Sequence, residues 1–465
     1  MLRSLTETFT KKTGIGVELR SLPLREHLQR VDLAGRTRAT RPDVIELPSR
    51  FFRFYIRRGW IDDITPNAQP GTEDLLLSNF RRSSIGPLLE RPLLHEISLQ
   101  RSNSLFATCL DHKEGIGYRI FGVPLLFRGQ PLVINARLLK EINQRVPEGI
   151  VLHELLFETW DGLRRSLAAI QLKLVRFHLR ELEAKGIKHD LVFAKEEDLE
   201  VPEKIHRCNN LLVSNGLQPI SVLGIPTYFE REDDPFWLFP IAYNHGSELM
   251  LDRGRDAPSE SDNRRNLTQS LHNIGTILKH TLAYQRGLGG ALVPLLDRFR
   301  NGRILALLPQ DLEIFHRTCW QDGYFVALPP RGLGSDLILR NYLYLNGSNF
   351  AVSASTERRD AAVRFLGFLA AQELEEQTLL STLGMLPGSA LLHTPWQHSN
   401  GSKEFLDVVE RNGRYFGHHE VWPSTEVRFE SELIQVLREI VDLDLSSTEL
   451  EGFVHTIFKK LSTGG

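Results

Sequence analysis

The residues whose types could do chemistry are few and scattered. His418-His419-Glu420 places three residues of metal-ligating types in one run. Adjacent histidines on a strand point to opposite faces, however, and no HExxH pair accompanies them. Gly287-Leu288-Gly289-Gly290-Ala291 is glycine-rich but lacks the Lys-Ser/Thr that completes a phosphate-binding loop, and it reads as the end of the helix carrying Leu278 and Leu282. There is no GxSxG turn for a serine nucleophile. Asp62-Asp63 and Asp233-Asp234 are sequence neighbours, a poor arrangement for an acid and a base flanking one substrate. Cys109, Cys208 and Cys319 allow at most one intrachain disulfide, with buried or idle thiols as the simple alternative. The expectation is no metal site, no cofactor and no catalytic set.

Composition narrows the class further. The 56 Lys and Arg residues nearly balance 58 Asp and Glu, for a formal charge of −2, so no global field draws the chain to nucleic acid or to an anionic membrane. The pairs Arg57-Arg58, Arg81-Arg82 and Arg264-Arg265 are short and read as solvated faces. Nowhere do about 18 apolar residues run together, so no membrane span is expected. The first twelve residues hold Arg3, Glu7, Lys11 and Lys12 and do not form the apolar run of an export signal. Asn266-Leu267-Thr268 and Asn346-Gly347-Ser348 match a glycosylation pattern, relevant only in a eukaryotic secretory setting.

The elements that must position any site alternate in type. Residues 4–12 read as a helix stopped at Thr13-Gly14, and Ile15, Val17 and Leu19 alternate with polar residues as a half-buried strand. Pro23 opens a helix, Asp43–Leu47 is a strand, and another helix runs to Arg58 before the turn Gly59-Trp60. This helix–strand alternation argues for an α/β layered domain with a parallel sheet. A strand pair is expected at Tyr118–Val123 and Leu132–Asn135, and a long helix from Trp160 to about Gly186. Residues 67–115 are less regular, 186–204 read as a charged surface excursion, and 252–265 as the most loop-like stretch. Later strands are expected at Arg303–Leu308, Tyr324–Leu328 and Tyr342–Val352, followed by a helix with Thr356 as a candidate cap.

Several segments, in order, resemble the extracellular solute-binding proteins of bacterial ABC importers, the group that includes sugar- and maltose-binding proteins. They are Phe9–Val17, Arg41-Pro42-Asp43-Val44-Ile45, Gly59–Ile64, Gly122-Val123-Pro124 with Leu132–Asn135, Thr159-Trp160-Asp161-Gly162-Leu163, Asn301–Leu307, Ala361–Leu369 and Leu383–Gly388. Each motif alone is weak, but eight in order across the chain are fairly specific. The resemblance implies an α/β, periplasmic-binding-protein-like fold with two lobes, a hinge and an interlobe cleft. The lobes would be 1–126 with 346–394 and 127–345 with 395–465. The implied function is non-enzymatic. The chain would be a monomeric, periplasmic or lipid-anchored receptor that closes on a carbohydrate-like solute and is read by a membrane ABC permease. The alternative is a sensory or scaffold module that kept the fold and lost transport.

In such folds ligands lie beyond the carboxyl ends of strands, and a sugar needs flat apolar faces together with polar groups for its hydroxyls. The candidate ligand-binding residues on those loops are Ser49, Arg50, Phe51, Phe127, Arg128, Trp237, Tyr243, Gln310, Asp311, Asn346, Gly347, Ser348, Trp396 and Trp422. Each has a plain structural alternative. Phe51 and Phe52 could pack a helix on the sheet, Trp237 could be core, Arg128 could meet a surface carboxylate, and Asn346-Gly347-Ser348 could be a bulge. Trp60 and Trp160 read as core. Two departures from the family pattern stand out. The stretch 171–215 is longer than the pattern, and the family's first strand, which precedes the opening helix, has no counterpart here. The expectation is that the native reading frame begins upstream, with an export signal and that strand.

Overall fold

The computed structural model describes residues 2–37, 42–65, 109–113, 117–129, 131–145, 149–150, 158–224, 241–242, 244–247, 259–286, 295–308, 323–370, 386–387, 413–415, 435–436, 439 and 447–462. The helices are α1 (Leu2–Thr13), α2 (Leu24–Thr37), α3 (Phe52–Arg57), α4 (Ala136–Arg145), α5 (Trp160–Ala184), α6 (Pro202–Ser214), α7 (Glu260–Arg286), α8 (Leu295–Arg300), α9 (Arg359–Ala370) and α10 (Ser447–Ser462). The strands are β1 (Val44–Pro48), β2 (Leu110–Lys113), β3 (Gly117–Ile120), β4 (Val123–Gly129), β5 (Leu132–Asn135), β6 (Ser221–Gly224), β7 (Ile304–Leu307), β8 (Tyr324–Ala327), β9 (Gly332–Leu333), β10 (Leu339–Arg340), β11 (Leu343–Val352), β12 (Leu386–Pro387) and β13 (Gly413–Tyr415).

Two sheets organise the molecule, each with helices packed on it, as expected of two α/β lobes. The first has the order β1-β11-β4-β12, with β13 beside β11, and the second β6-β7-β5-β8. The first core gathers Leu28, Val31, Ile45, Leu47, Phe52 and Tyr55 with Ala351. The second gathers Leu132, Ile134, Trp160, Leu163, Val222, Leu271 and Leu305. The expected core tryptophans are in place: Trp160 is 1% exposed, and Trp60 packs edge-on against Phe54 with ring centroids 6.2 Å apart.

Local signals placed α1 well. Leu5 and Phe9 are buried, and the Phe9 ring lies 5.1 Å from Phe365 of α9. Gly14 ends the helix at φ 72°, a left-handed value glycine adopts without strain, and its N–H donates to the Thr10 carbonyl at 2.8 Å. The strand expected at Ile15–Leu19 does not form. Alternation makes a strand only where a sheet edge accepts its backbone, none does so among the described residues, and Leu19 is 41% exposed.

The first sheet is not the parallel sheet that local alternation implies. β1 pairs antiparallel with β11 and β11 antiparallel with β4. Among the described residues only the short β11–β13 pairing is parallel there. The partner of β1 arrives from roughly 300 residues downstream, and such a return of the chain leaves no trace in the pattern around β1. The expected pairing of 118–123 with 132–135 is also replaced. β3 pairs with β2, whereas β5 pairs with β7 and β8 in the other sheet.

The loop expected at 252–265 is helical from Glu260, because Ser259 caps it by accepting from the Asp262 N–H at 3.1 Å. Thr356 is not the cap of α9, which begins at Arg359. Its hydroxyl donates instead to the Asp43 carboxylate at 2.5 Å. The excursion after residue 171 carries its own small core, in which Val175, Leu179 and Leu182 of α5 pack with Leu191, Phe193, Cys208 and Leu212.

Candidate functional site

The carboxyl end of β1 is where expected site residues meet. Pro48 stands opposite Ser348 of β11. On the other side of β11, Gly347 is paired with Phe127 and Asn346 with Arg128 of β4. Ser49, the Phe127-Arg128 pair and Asn346-Gly347-Ser348 therefore come from three adjacent strands, about 10 Å across at the usual strand spacing. Ser49 opens a short 3-10 turn, and its hydroxyl accepts from the Gly347 N–H at 3.2 Å. The Asn346–Ser348 stretch lies inside a continuous strand whose register shifts between Ser348 and Asn349, a bulge of the kind found where a strand is re-aimed.

Arg50 and Phe51 lie deeper. Phe51 is fully enclosed in the first core, as is Phe52, and the Arg50 guanidinium stacks on the Phe51 ring 4.4 Å from its centroid. This cation–aromatic contact holds a buried positive charge directly beneath Ser49 in sequence. Nearby, Arg53 of α3 faces Asp111 at 3.7 Å. Burial pushes the Tyr55 hydroxyl well above the usual tyrosine range, with Asp32 adding to the shift.

Asp62 and Asp63 are held apart from any joint chemistry. Asp62 pairs with Arg359 at 2.5 Å and Asp63 with Arg119 at 3.0 Å. Cys109 and Cys208 are buried thiols, and burial pushes that of Cys208 up to about 11, so it is a poor nucleophile at neutral pH. Asn266 of the glycosylation pattern is buried and donates to the Gly246 carbonyl at 2.9 Å. Trp237, Tyr243, Gln310, Asp311, Trp396 and Trp422 lie outside the described residues, as do His418-His419-Glu420, Gly287–Ala291, Asp233-Asp234, Arg81-Arg82 and Cys319. Among the described residues, no group of three or more His, Cys, Asp and Glu side chains could hold a metal ion. No described helix is long and apolar enough to cross a membrane.

The arrangement brings residues of three adjacent strands together at the carboxyl end of β1. Replacing Ser49 with Ala removes the acceptor for Gly347 at a site that is 2% exposed. The expected cost is about 1 kcal/mol of unfolding free energy, read by denaturant titration. An unchanged midpoint would show that the bond contributes nothing.

Comparison with solved structures decides the fold. An ABC substrate-binding protein of Listeria monocytogenes in complex with cycloalternan superposes with a TM-score of 0.58 at 14% identity, over 99% of this chain and 95% of that one. The chain has the fold of the ABC solute-binding proteins. The sugar-binding protein MalE of Xanthomonas citri gives a TM-score of 0.59 at 15% identity, over 99% of this chain and 94% of that one. MalX of Streptococcus pneumoniae in complex with maltopentaose gives 0.57 at 12% identity, over 99% and 96%. No protein-family model and no curated protein sequence matches the chain. In this solute-binding fold the two sheets described above are the cores of the two lobes, and the end of β1 belongs to the first.

Proposed function

We propose that the chain is the solute-binding component of an ABC import system and takes a carbohydrate-class ligand between its lobes. The observation that carries this reading is the register that sets Ser49, Phe127-Arg128 and Asn346-Gly347-Ser348 side by side at one sheet edge, in a fold whose solved examples include sugar complexes. The lobes are proposed as 1–126 with 346–394 and 127–345 with 395–465, except that β13, inside the second range, pairs with β11 in the first sheet. The crossing strands straddle those boundaries, since β4 stays in the first sheet to Gly129 and β11 joins it from Leu343. Function is binding without covalent chemistry: ligand favours the closed arrangement by its higher affinity for it, and a membrane permease reads that arrangement. The protein acts as a monomer outside the cytoplasmic membrane. Trp237, Tyr243, Gln310, Asp311, Trp396 and Trp422 complete the proposed ligand-contact set, with Arg50 and Phe51 beneath it.

The test is calorimetric titration and thermal shift of the full chain against maltotriose, maltopentaose, acarbose, cycloalternan, simple polyols and sugar phosphates. At least one is expected to bind saturably and to raise the melting temperature, since a ligand at 100 times its Kd adds about 2.7 kcal/mol to the folded state. A folded protein indifferent to every compound in the panel would overturn the carbohydrate reading.

A further inference from the structure

Among the described residues the two lobes are joined where β4 gives way to β5 and where β10 gives way to β11. Both junctions are short: Gly129 ends the first-sheet pairing of β4, and Leu132 begins the second-sheet pairing of β5. At the other junction the segment before β11 is fastened to the second lobe at several points. The Arg331 N–H donates to the Glu158 carbonyl at 3.0 Å, and the Trp160 N–H donates to the Arg331 carbonyl at 3.0 Å. A Cβ on Gly332 would lie 2.3 Å from the backbone carbon of Asn244, so glycine is what lets the two chains touch. The Ser335 N–H donates to the Asn266 side chain at 2.8 Å.

The last fastening is a side chain. Asn244 is completely buried. Its Oδ1 accepts from the Tyr342 N–H at 2.8 Å, and its Nδ2 donates to the Tyr342 carbonyl at 3.2 Å. One amide thus takes both backbone groups of one residue, as a neighbouring strand would. Asn244 is itself rooted in the second lobe. Ile241 and Ala242, just before it, belong to that lobe's core. His245, just after it, donates from Nδ1 to the Ile241 carbonyl at 2.7 Å and accepts from the Asn273 amide of α7 at 3.1 Å. One residue past Tyr342 the chain has changed allegiance, because Leu343 pairs in the first sheet and is fully buried there.

We propose that Asn244 is the positioning residue of the hinge. By clamping Tyr342 to the second lobe it confines interlobe rotation to the Tyr342–Leu343 link and the adjoining Gly129–Leu132 crossing, and so sets the resting angle of the cleft. The inference rests on the two-lobe closure reading above. Hinges of this kind are a few element-terminal residues that absorb the backbone change. A bidentate amide immediately upstream fixes where that change begins, and its loss lets the pivot spread back toward β10.

The test places nitroxide labels, carried on a ketone-bearing amino acid that spares the native cysteines, at the exposed positions of Glu7 and Lys188 in the full chain. Pulsed dipolar spectroscopy then gives the interlobe distance distribution with no sugar added. Asn244→Ala is expected to shift or broaden that distribution while circular dichroism stays native. Asn244→Asp keeps the acceptor for the Tyr342 N–H but turns an oxygen toward the Tyr342 carbonyl in place of the donor, and is likewise expected to shift or broaden the distribution; Asn244→Ser is measured in place of the alanine variant if that one does not fold. A folded variant with the wild-type distribution, whatever its melting temperature, would overturn the proposal and reduce Asn244 to an ordinary structural contact. No sugar enters the measurement, so failure of the carbohydrate reading and failure of the hinge assignment are separate outcomes.

Discussion

Trp160→Ala is expected to unfold the second lobe at a denaturant concentration far below that of the parent chain, with a loss of about 3–5 kcal/mol. Trp160 is the largest fully enclosed side chain in the molecule's described part. It begins α5 beneath the second sheet, packed among Leu132, Leu163 and Leu305 in one continuous core. Thr159 caps the same helix by accepting from the Gly162 N–H at 2.9 Å, so the tryptophan sits where a rigid helix start meets the sheet. Interiors pack like crystals, and a cavity of this size collapses only partly. The indole Nε1 is enclosed and has no hydrogen-bond partner among the described residues. Trp160→Phe should therefore cost clearly less than the alanine change, since it keeps most of the apolar volume and removes a buried donor that gains nothing. A loss below about 1 kcal/mol for the alanine variant would contradict this packing.

The second large effect is on pH. The N–H of Ile220 donates to His178 Nε2 at 3.0 Å, so that nitrogen carries no proton. Nδ1 faces the Glu181 carboxylate at 3.0 Å and donates to it. The ring joins α5 to the residue just before β6. Burial holds its pKa below the usual histidine value, outweighing the Glu181 hydrogen bond and charge, with Arg303 adding to the depression. The facing groups from other elements are Arg145 of α4, which pairs with Glu181 at 2.9 Å, and Cys208 and Asn209 of α6, both uncharged. His245 is depressed in the same way, chiefly by burial.

Above about pH 6.5 the folded and unfolded chains both keep these rings neutral. As pH falls below that, the unfolded chain binds protons that the folded chain refuses. Stability then declines by up to about 1.4 kcal/mol per pH unit for each ring, until the depressed folded value is reached and the decline stops. His178→Gln should flatten the slope just below about pH 6.5 by up to one proton. Chemical unfolding at a series of pH values measures it, and a slope equal to that of the parent chain would show that His178 is not the group being protonated.

How much of this was legible in the sequence differs from element to element. α1 and its stop at Gly14 follow from composition and one glycine, since both the helix and the left-handed turn are local. β1 and β7 are short apolar runs bounded by breakers, and they appear where read. The strand at Ile15–Leu19 failed because alternation describes one chain, whereas a strand needs two. The start of α7 was legible in principle: Ser259 lies three residues before Asp262, a cap hidden among the charges that made the stretch look like a loop.

At the candidate site, Ser49, Phe127, Arg128 and Asn346–Ser348 are expected on loops at strand ends, but Phe127 and Arg128 lie within β4 and Asn346–Ser348 within β11. Nothing local says that β11 lies between β1 and β4, the arrangement that brings them together. The sequence suits Phe51 to a ligand face or to packing alike, and its ring is enclosed in the first core. Asn244 carried no signal at all. Its partner is 98 residues away, and a lone asparagine before a histidine and a glycine reads as an ordinary turn.

The most direct measurement is small-angle X-ray scattering of the full chain, without sugar and saturated with whichever oligosaccharide the calorimetric panel shows to bind. The radius of gyration is expected to fall as the lobes close on the sugar, with the chain remaining monomeric throughout. A bound sugar that leaves the scattering curve unchanged would contradict closure around a ligand held between the lobes.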